Sequence, residues 1–91
     1  MNKSELIAAL AEELNMSVIK AGDILDTILG AMMDSMVRGD NVEIRGFGSF
    51  TVKTYESYTG RNPKTGEYIA VSPKKLPFFK VGKELKERVD S

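Results

Sequence analysis

The stretch Asn41-Val42-Glu43-Ile44-Arg45-Gly46-Phe47-Gly48-Ser49-Phe50-Thr51-Val52-Lys53 is where the hydrophobic period of this chain changes. Val42 and Ile44 alternate with Glu43 and Arg45, and Phe50 and Val52 alternate with Thr51 and Lys53. A period of two is the mark of a half-buried strand. Gly46-Phe47-Gly48 lies between the two runs and supplies a turn, so the stretch predicts a β-hairpin with one apolar face. The Gly-x-Gly is no phosphate loop, because neither a third Gly nor a helix follows at the needed spacing.

On the N-terminal side the period is helical. Asn2 and Glu5 form a start signal of the capping-box type. Leu6, Ile7, Leu10 and Leu14 predict an amphipathic helix over 3–14. Asn15-Met16-Ser17 breaks it, with Ser17 placed to cap a longer helix over 18–37 that Gly39 ends after Arg38. Twelve of those twenty positions are apolar or Ala. A helix on a small monomer needs one apolar stripe. Ile24, Leu25, Ile28, Leu29, Met32, Met33 and Met36 cannot all face the first helix. The excess predicts burial against a second subunit, while the methionines themselves read as ordinary core filling.

On the C-terminal side, 53–75 holds almost no large aliphatics until Ile69 and Val71. Thr54, Tyr55, Ser57, Tyr58 and Thr59 suit a strand wet on both faces. Gly60-Arg61-Asn62-Pro63-Lys64-Thr65-Gly66 is dense in turn formers, and Tyr68 to Val71 reads as a returning strand. The segment predicts a two-stranded arm with 60–66 at its tip. Pro73 and Pro77 bracket the chain's return, Phe78 and Phe79 are expected to re-enter the apolar core, and a short helix is expected over 83–90.

With 91 residues, the chain reads as one domain. So short a chain buries little of its unfolded surface, and without Cys no disulfide compensates; a second copy or another subunit is the natural remedy. With no Cys and no His, zinc sites of the usual kinds, Cys or His nucleophiles and His-based acid–base chemistry are excluded. Asp23 with Asp26, and Glu84 with Glu87, sit one helical turn apart, but on charged helices such pairs read as solvent faces. No nucleophile has a base beside it. No catalytic residue, metal site or cofactor is therefore expected. No apolar run approaches 18 residues, so no membrane span is expected, and the start Met1-Asn2-Lys3-Ser4-Glu5 lacks an apolar signal region. The expected location is intracellular.

Thirteen basic and thirteen acidic residues give zero net charge, which counts against a nucleic-acid partner. The zero is a cancellation. Residues 1–44 hold eight acidic and three basic residues, or −5; residues 45–91 hold ten basic and five acidic, or +5. Within 45–83 only Glu56 and Glu67 oppose eight cations, giving +6. This asymmetry points to a polyanion partner for the C-terminal half. A basic β-ribbon fits a duplex groove, and its cations would neutralise phosphates and release counterions. Pro63, rigid and without an N–H, either makes the tip turn or wedges between base pairs. Arg61 and Asn62 carry groove-compatible donors and acceptors. Arg45, expected on the outward face of the first strand, either enters a narrow minor groove or pairs with Glu43.

Three segments carry a resemblance: Gly46-Phe47-Gly48-Ser49-Phe50, Gly60-Arg61-Asn62-Pro63-Lys64-Thr65-Gly66-Glu67 and Pro77-Phe78-Phe79-Lys80-Val81-Gly82-Lys83-Glu84-Leu85. With them the chain resembles, over essentially its whole length, the bacterial HU and integration host factor family, a known example of minor-groove DNA bending. Glu43 to Phe50 looks most like the β-type subunit of integration host factor, where Arg at position 45 is a minor-groove reader; the HU branch typically has an uncharged residue there.

The resemblance implies an α+β fold and an intertwined dimer. A helical dimerisation base (1–40) would carry a three-stranded antiparallel sheet (41–52), a β-arm (53–75), and a return strand with a C-terminal helix (76–91). It implies double-stranded DNA as partner, a homodimer or a heterodimer with a paralogous subunit, a cytoplasmic, nucleoid-associated location and no enzymatic activity. Pro63 would intercalate. Lys3, Arg45, Gly46, Ser49, Lys53, Arg61, Asn62, Lys64, Lys74, Lys75, Lys80, Lys83 and Lys86 would contact DNA. Leu25, Ile28, Leu29, Met32, Met36, Ile44, Phe47, Phe50 and Phe79 would form the dimer interface. The alternatives are an HU-type non-specific homodimer, a metal-dependent phosphodiesterase and a dimeric module whose basic arm binds an acidic protein. Family arms usually carry Arg where this chain has Tyr55 and Tyr58, which removes phosphate partners. The two Tyr are expected to stiffen the arm by cross-strand contact.

Overall fold

A computed structural model describes every residue except Ser57 and Asn62, and the side chains of all the rest except Tyr58, Thr59, Ile69 and Val71. The chain divides into two compact units, Met1–Ser35 and Met36–Ser91.

The first unit is helical. α1 spans Lys3–Glu13 and starts as the capping signal predicts: the Asn2 side chain accepts from the Glu5 amide at 2.9 Å and from the Ser4 hydroxyl at 2.8 Å. Between the helices Asn15 takes φ 51°, a left-handed conformation that Asn tolerates. α2 spans Val18–Val37, the predicted range, and Ser17 caps it by accepting from the Lys20 amide at 3.1 Å. The helices meet closely at Gly22, where a Cβ would lie 3.7 Å from Ile7. Ala11, Ala21 and Leu25 are the buried apolar residues of the described chain.

The second unit opens on the end of α2, where Gly39 at φ 86° donates to the Met36 carbonyl and turns the chain. It contains β1 (Val42–Ile44), β2 (Gly48–Tyr55), β3 (Tyr58–Arg61), β4 (Tyr68–Val71), β5 (Lys74–Val81) and α3 (Lys83–Val89). β1, β2 and β5 form an antiparallel sheet in that order, and β3 pairs with β4 as a separate two-stranded ribbon. The fold is α+β, as expected. Two boundaries move. β2 and β5 pair continuously from Gly48↔Val81 to Tyr55↔Lys74, so the sheet runs past residue 52 and its return strand begins at 74. Pro77 does not bracket the strand but sits inside it, which is tolerated because β5 is an edge strand and needs no outward N–H bond.

Directly paired residues share a face of an antiparallel sheet. Val42, Phe50 and Phe79 line up on one face, where the Phe79 ring lies 4.8 Å from Phe50 and 5.7 Å from Phe47. Phe78 corrects the expectation from sequence. It pairs with Thr51 on the opposite face, is 50% exposed, and lies under the Lys53 ammonium, 3.8 Å from the ring centroid. Adjacent strand residues point to opposite faces, so Phe78 and Phe79 cannot share one core. Phe79 itself is 40% exposed in the single chain.

Candidate nucleic-acid interface

Three groups of candidate residues fall in the second unit. The first surrounds the β1–β2 connection, a three-residue turn of Arg45, Gly46 and Phe47 closed by the Phe47 amide on the Ile44 carbonyl at 2.9 Å. Arg45 is thus in the turn, not on the outward face of a strand, because Ile44 already pairs with Gly48 and leaves those three residues outside the ladder. Among the described residues Arg45 makes no ion pair with Glu43. Gly46 has φ 84°, a conformation costly for any residue with a side chain. A Cβ there would also lie 2.7 Å from the Glu84 carboxylate. α3 is tied to this turn through the Leu85 amide on the Gly46 carbonyl at 3.1 Å, and Gly82 donates to the Phe47 carbonyl at 2.8 Å. Glu43, Ile44, Arg45, Gly46, Gly48, Ser49 and Gly82 line a cleft of about 480 Å³ there.

The second group lies on the sheet. Ser49 pairs with Lys80, Lys53 with Leu76, and Tyr55 with Lys74, which places Lys53, Lys74 and Lys80 on one face with Ser49. Lys75 pairs with Thr54 and belongs to the other face, so the structure separates the adjacent Lys74 and Lys75.

The third group is at the end of the β3–β4 ribbon. Arg61 pairs with Tyr68 in the last ladder step, and its Nε donates to the Gly66 carbonyl at 3.2 Å. Gly66 takes φ 76°, and the Glu67 amide donates to the Thr65 hydroxyl. Pro63 and Lys64 are exposed in the turn between. The expected groove contact of Asn62 falls outside the described residues, as does the side chain of Tyr58.

The remaining cations are less available. Lys83 lies 3.9 Å from Glu87 one turn along α3, while Lys86 is exposed on the same helix. Lys3, in the first unit, is held 2.7 Å from Asp26. Such exposed pairs are weak, typically about 0–1 kcal/mol, and yield to a phosphate.

An exposed apolar turn flanked by cations, on a two-stranded ribbon in the same unit as a basic sheet face, is suited to a polyanion with grooves. A model of the family described as bacterial DNA-binding protein matches residues 1–90. The chain belongs to that family. Relatives within the bacterial DNA-binding family include integration host factor subunit beta of Dechloromonas aromatica, 54% identical over 99% of this chain and 97% of the relative. The subunit beta of an Azoarcus species is 53% identical over the same shares. Among solved structures, the chain resembles the HU of an Anabaena HU–DNA cocrystal, at a TM-score of 0.82, 36% identity, and 98% and 97% coverage of the two chains. It also resembles HU from Thermotoga maritima, at a TM-score of 0.70, 35% identity and 98% coverage of each chain. The family is one of DNA-binding architectural proteins.

Sequence reasoning missed Thr51, Phe78, Leu76 and Tyr55 as neighbours of Lys53, Lys74 and Lys80. Alternation along β5 groups Phe78 and Leu76 with Lys74 and Lys80, but only the pairing of β5 with β2 brings Thr51, Lys53 and Tyr55 to the same face. It also missed Glu84 over the Gly46 turn, a tertiary contact with no local signal.

Proposed function

We propose that this chain is one subunit of an intertwined dimer that bends duplex DNA in the manner of integration host factor. The observation that carries the reading is Pro63, exposed in the turn between β3 and β4 and flanked by Arg61 and Lys64. A rigid apolar tip of this kind enters the minor groove and wedges a base step, while neighbouring cations hold the flanking phosphates. Unstacking costs a few kcal/mol per step, offset by contacts that the bent duplex makes with the body. Arg45, in its turn beside the cleft, is the candidate minor-groove reader. Gly46 lets the backbone approach, and Ser49, Lys53, Lys74 and Lys80 line the sheet face below. Lys64, Lys75, Lys83, Lys86 and Lys3 supply flanking charge, and Asn62 is a further groove contact by its chemistry. No helix is long and apolar enough to cross a membrane among the described residues, and a nucleoid location follows from the function proposed.

The dimer is supported by what the single chain leaves uncovered. Ile28, Met33, Ile44, Phe47 and Phe79 are each about two-fifths or more exposed, and no side chain larger than Leu is buried among the described residues. A second subunit covering Ile28, Leu29, Met32, Met36, Ile44, Phe47, Phe50 and Phe79 supplies the missing core, while Leu25, also expected at the interface, is already buried within the single chain. The domain reading follows: one unit of function over 1–91, with a helical base, sheet, arm and C-terminal helix. The integration-host-factor branch is favoured over an HU-type homodimer by Arg45 and by the identity to beta subunits at 53–54%.

The test is Pro63→Ala on doubly labelled duplex. Energy transfer between the ends should show a smaller bend, while affinity for DNA that is already kinked changes little. An unchanged bend would refute the wedge.

A further inference from the structure

The place of Phe78 leaves an aromatic ring outside the apolar layer. The face it occupies is a ladder of two columns: Ser49, Thr51, Lys53 and Tyr55 on β2 against Lys80, Phe78, Leu76 and Lys74 on β5. Three cations and three apolar side chains share it, with Phe78 and Leu76 between Lys80 and Lys74 on β5 and Lys53 beside Tyr55 on β2. Phe78, Leu76 and Tyr55 are 50%, 46% and 46% exposed, so about half of each side chain is open to solvent. From Lys74 to Lys80 it extends about 20 Å at strand rise. The Lys53 ammonium rests on the Phe78 ring at 3.8 Å. An exposed cation–π contact of this type is weak beside a charge-assisted bond to phosphate.

Resting on the reading that this face takes duplex DNA, the geometry points to Phe78, with Leu76 and Tyr55, as an apolar contact strip for the deoxyribose edge of the bound backbone. The strip is uncovered when Lys53 leaves the ring for a phosphate. Charge selects this occupant. Among the described residues of the sheet, Glu43 is the one acid on that face, and it lies at the far end opposite Ser49. A DNA backbone alternates anionic phosphate with an apolar sugar edge and so matches both elements of the ladder. A second copy packing here about a two-fold axis would instead bring together two faces that each carry Lys53, Lys74 and Lys80, which like-charge repulsion opposes.

The strip has a signature that cations lack, because packing against sugar releases no counterions. Wild type, Phe78→Ala, Phe78→Thr and Lys80→Ala are compared for duplex binding across a range of salt concentrations. Thermal melting confirms folding, and Phe78→Thr, which keeps a β-branched residue in the strand, decides the matter where Phe78→Ala does not fold. Both Phe78 variants should bind about fivefold to tenfold more weakly at every salt concentration, with an unchanged slope of log K against log salt. Lys80→Ala should shallow that slope by about 0.9. Wild type failing to bind duplex would sink the parent reading. Wild type binding while the folded Phe78 variants match it within about twofold would overturn the strip alone. A Phe78 variant that weakens self-association by sedimentation, with no loss of DNA affinity by preformed dimer, would assign the face to protein and also overturn the strip.

Discussion

Gly48 is the point at which one added carbon has the most to disturb. It opens β2, pairs with Val81 of β5, and is buried directly after the turn that carries Arg45. A Cβ built there would lie 2.6 Å from the Lys80 carbonyl oxygen and 2.6 Å from two carbons of the Phe79 ring. Comfortable contacts between carbon atoms are about 3.5–4.0 Å. Neither neighbour yields easily. The carbonyl belongs to the paired strand, and Phe79 is held between Phe47 and Phe50. Gly48→Ala must therefore open the β2–β5 ladder or swing Phe79 out of its cluster. Overpacking of this kind costs about 1–3 kcal/mol. At roughly 4–8 °C per kcal/mol for a domain of this size, the melting temperature should fall by about 4–24 °C. The assay is thermal melting by circular dichroism at one matched protein concentration, since an associating protein melts in a concentration-dependent way. DNA affinity measured well below the melting point should fall with it, because the same shift displaces the Arg45 turn. A variant melting within about 3 °C of wild type would show that strand and ring relax freely, and would refute the claim that this glycine is required for packing.

Other outcomes follow from the same structure. Sedimentation at micromolar concentration should show a dimer with no folded monomer, and a folded monomer would leave the width of the α2 apolar stripe unexplained. Asn2→Ala removes the acceptor of the Glu5 amide and Ser4 hydroxyl, and should cost about 0.5–2 kcal/mol in a denaturant melt; no change would mean that water caps α1 equally well. Arg45→Ala should lower the ratio of specific to random duplex affinity by about tenfold. An equal loss on both duplexes would make Arg45 a phosphate contact instead of a reader.

Much of the fold was legible because its signals are local. Asn2 and Ser17 both cap as the sequence suggests, and α2 occupies the predicted range to the residue, since a helix start needs only a side-chain oxygen a few positions away. The ribbon tip was legible for the same reason: Gly66 supplies the positive φ that its turn demands. The errors lie where two strands meet. Phe78 and Phe79 look alike in composition, and only the pairing of β5 with β2 sends one to the phenylalanine cluster and the other to the lysine face. Arg45 looked like a strand residue until the Ile44↔Gly48 register placed it in the turn.

By itself, then, the amino-acid order determined the helices, the ribbon tip with Pro63 and the separation of charge into an acidic and a basic half. Each depends on neighbours within a few positions or on simple counting. Tertiary structure alone decided which lysines share a face, that Lys74 and Lys75 do not, and that Gly46 and Gly48 are closed in by Glu84 and Phe79. Those outcomes depend on contacts between segments roughly 20 to 40 residues apart. Register is set by the fit of whole strands, and a slip of one residue would exchange every side chain between the two faces.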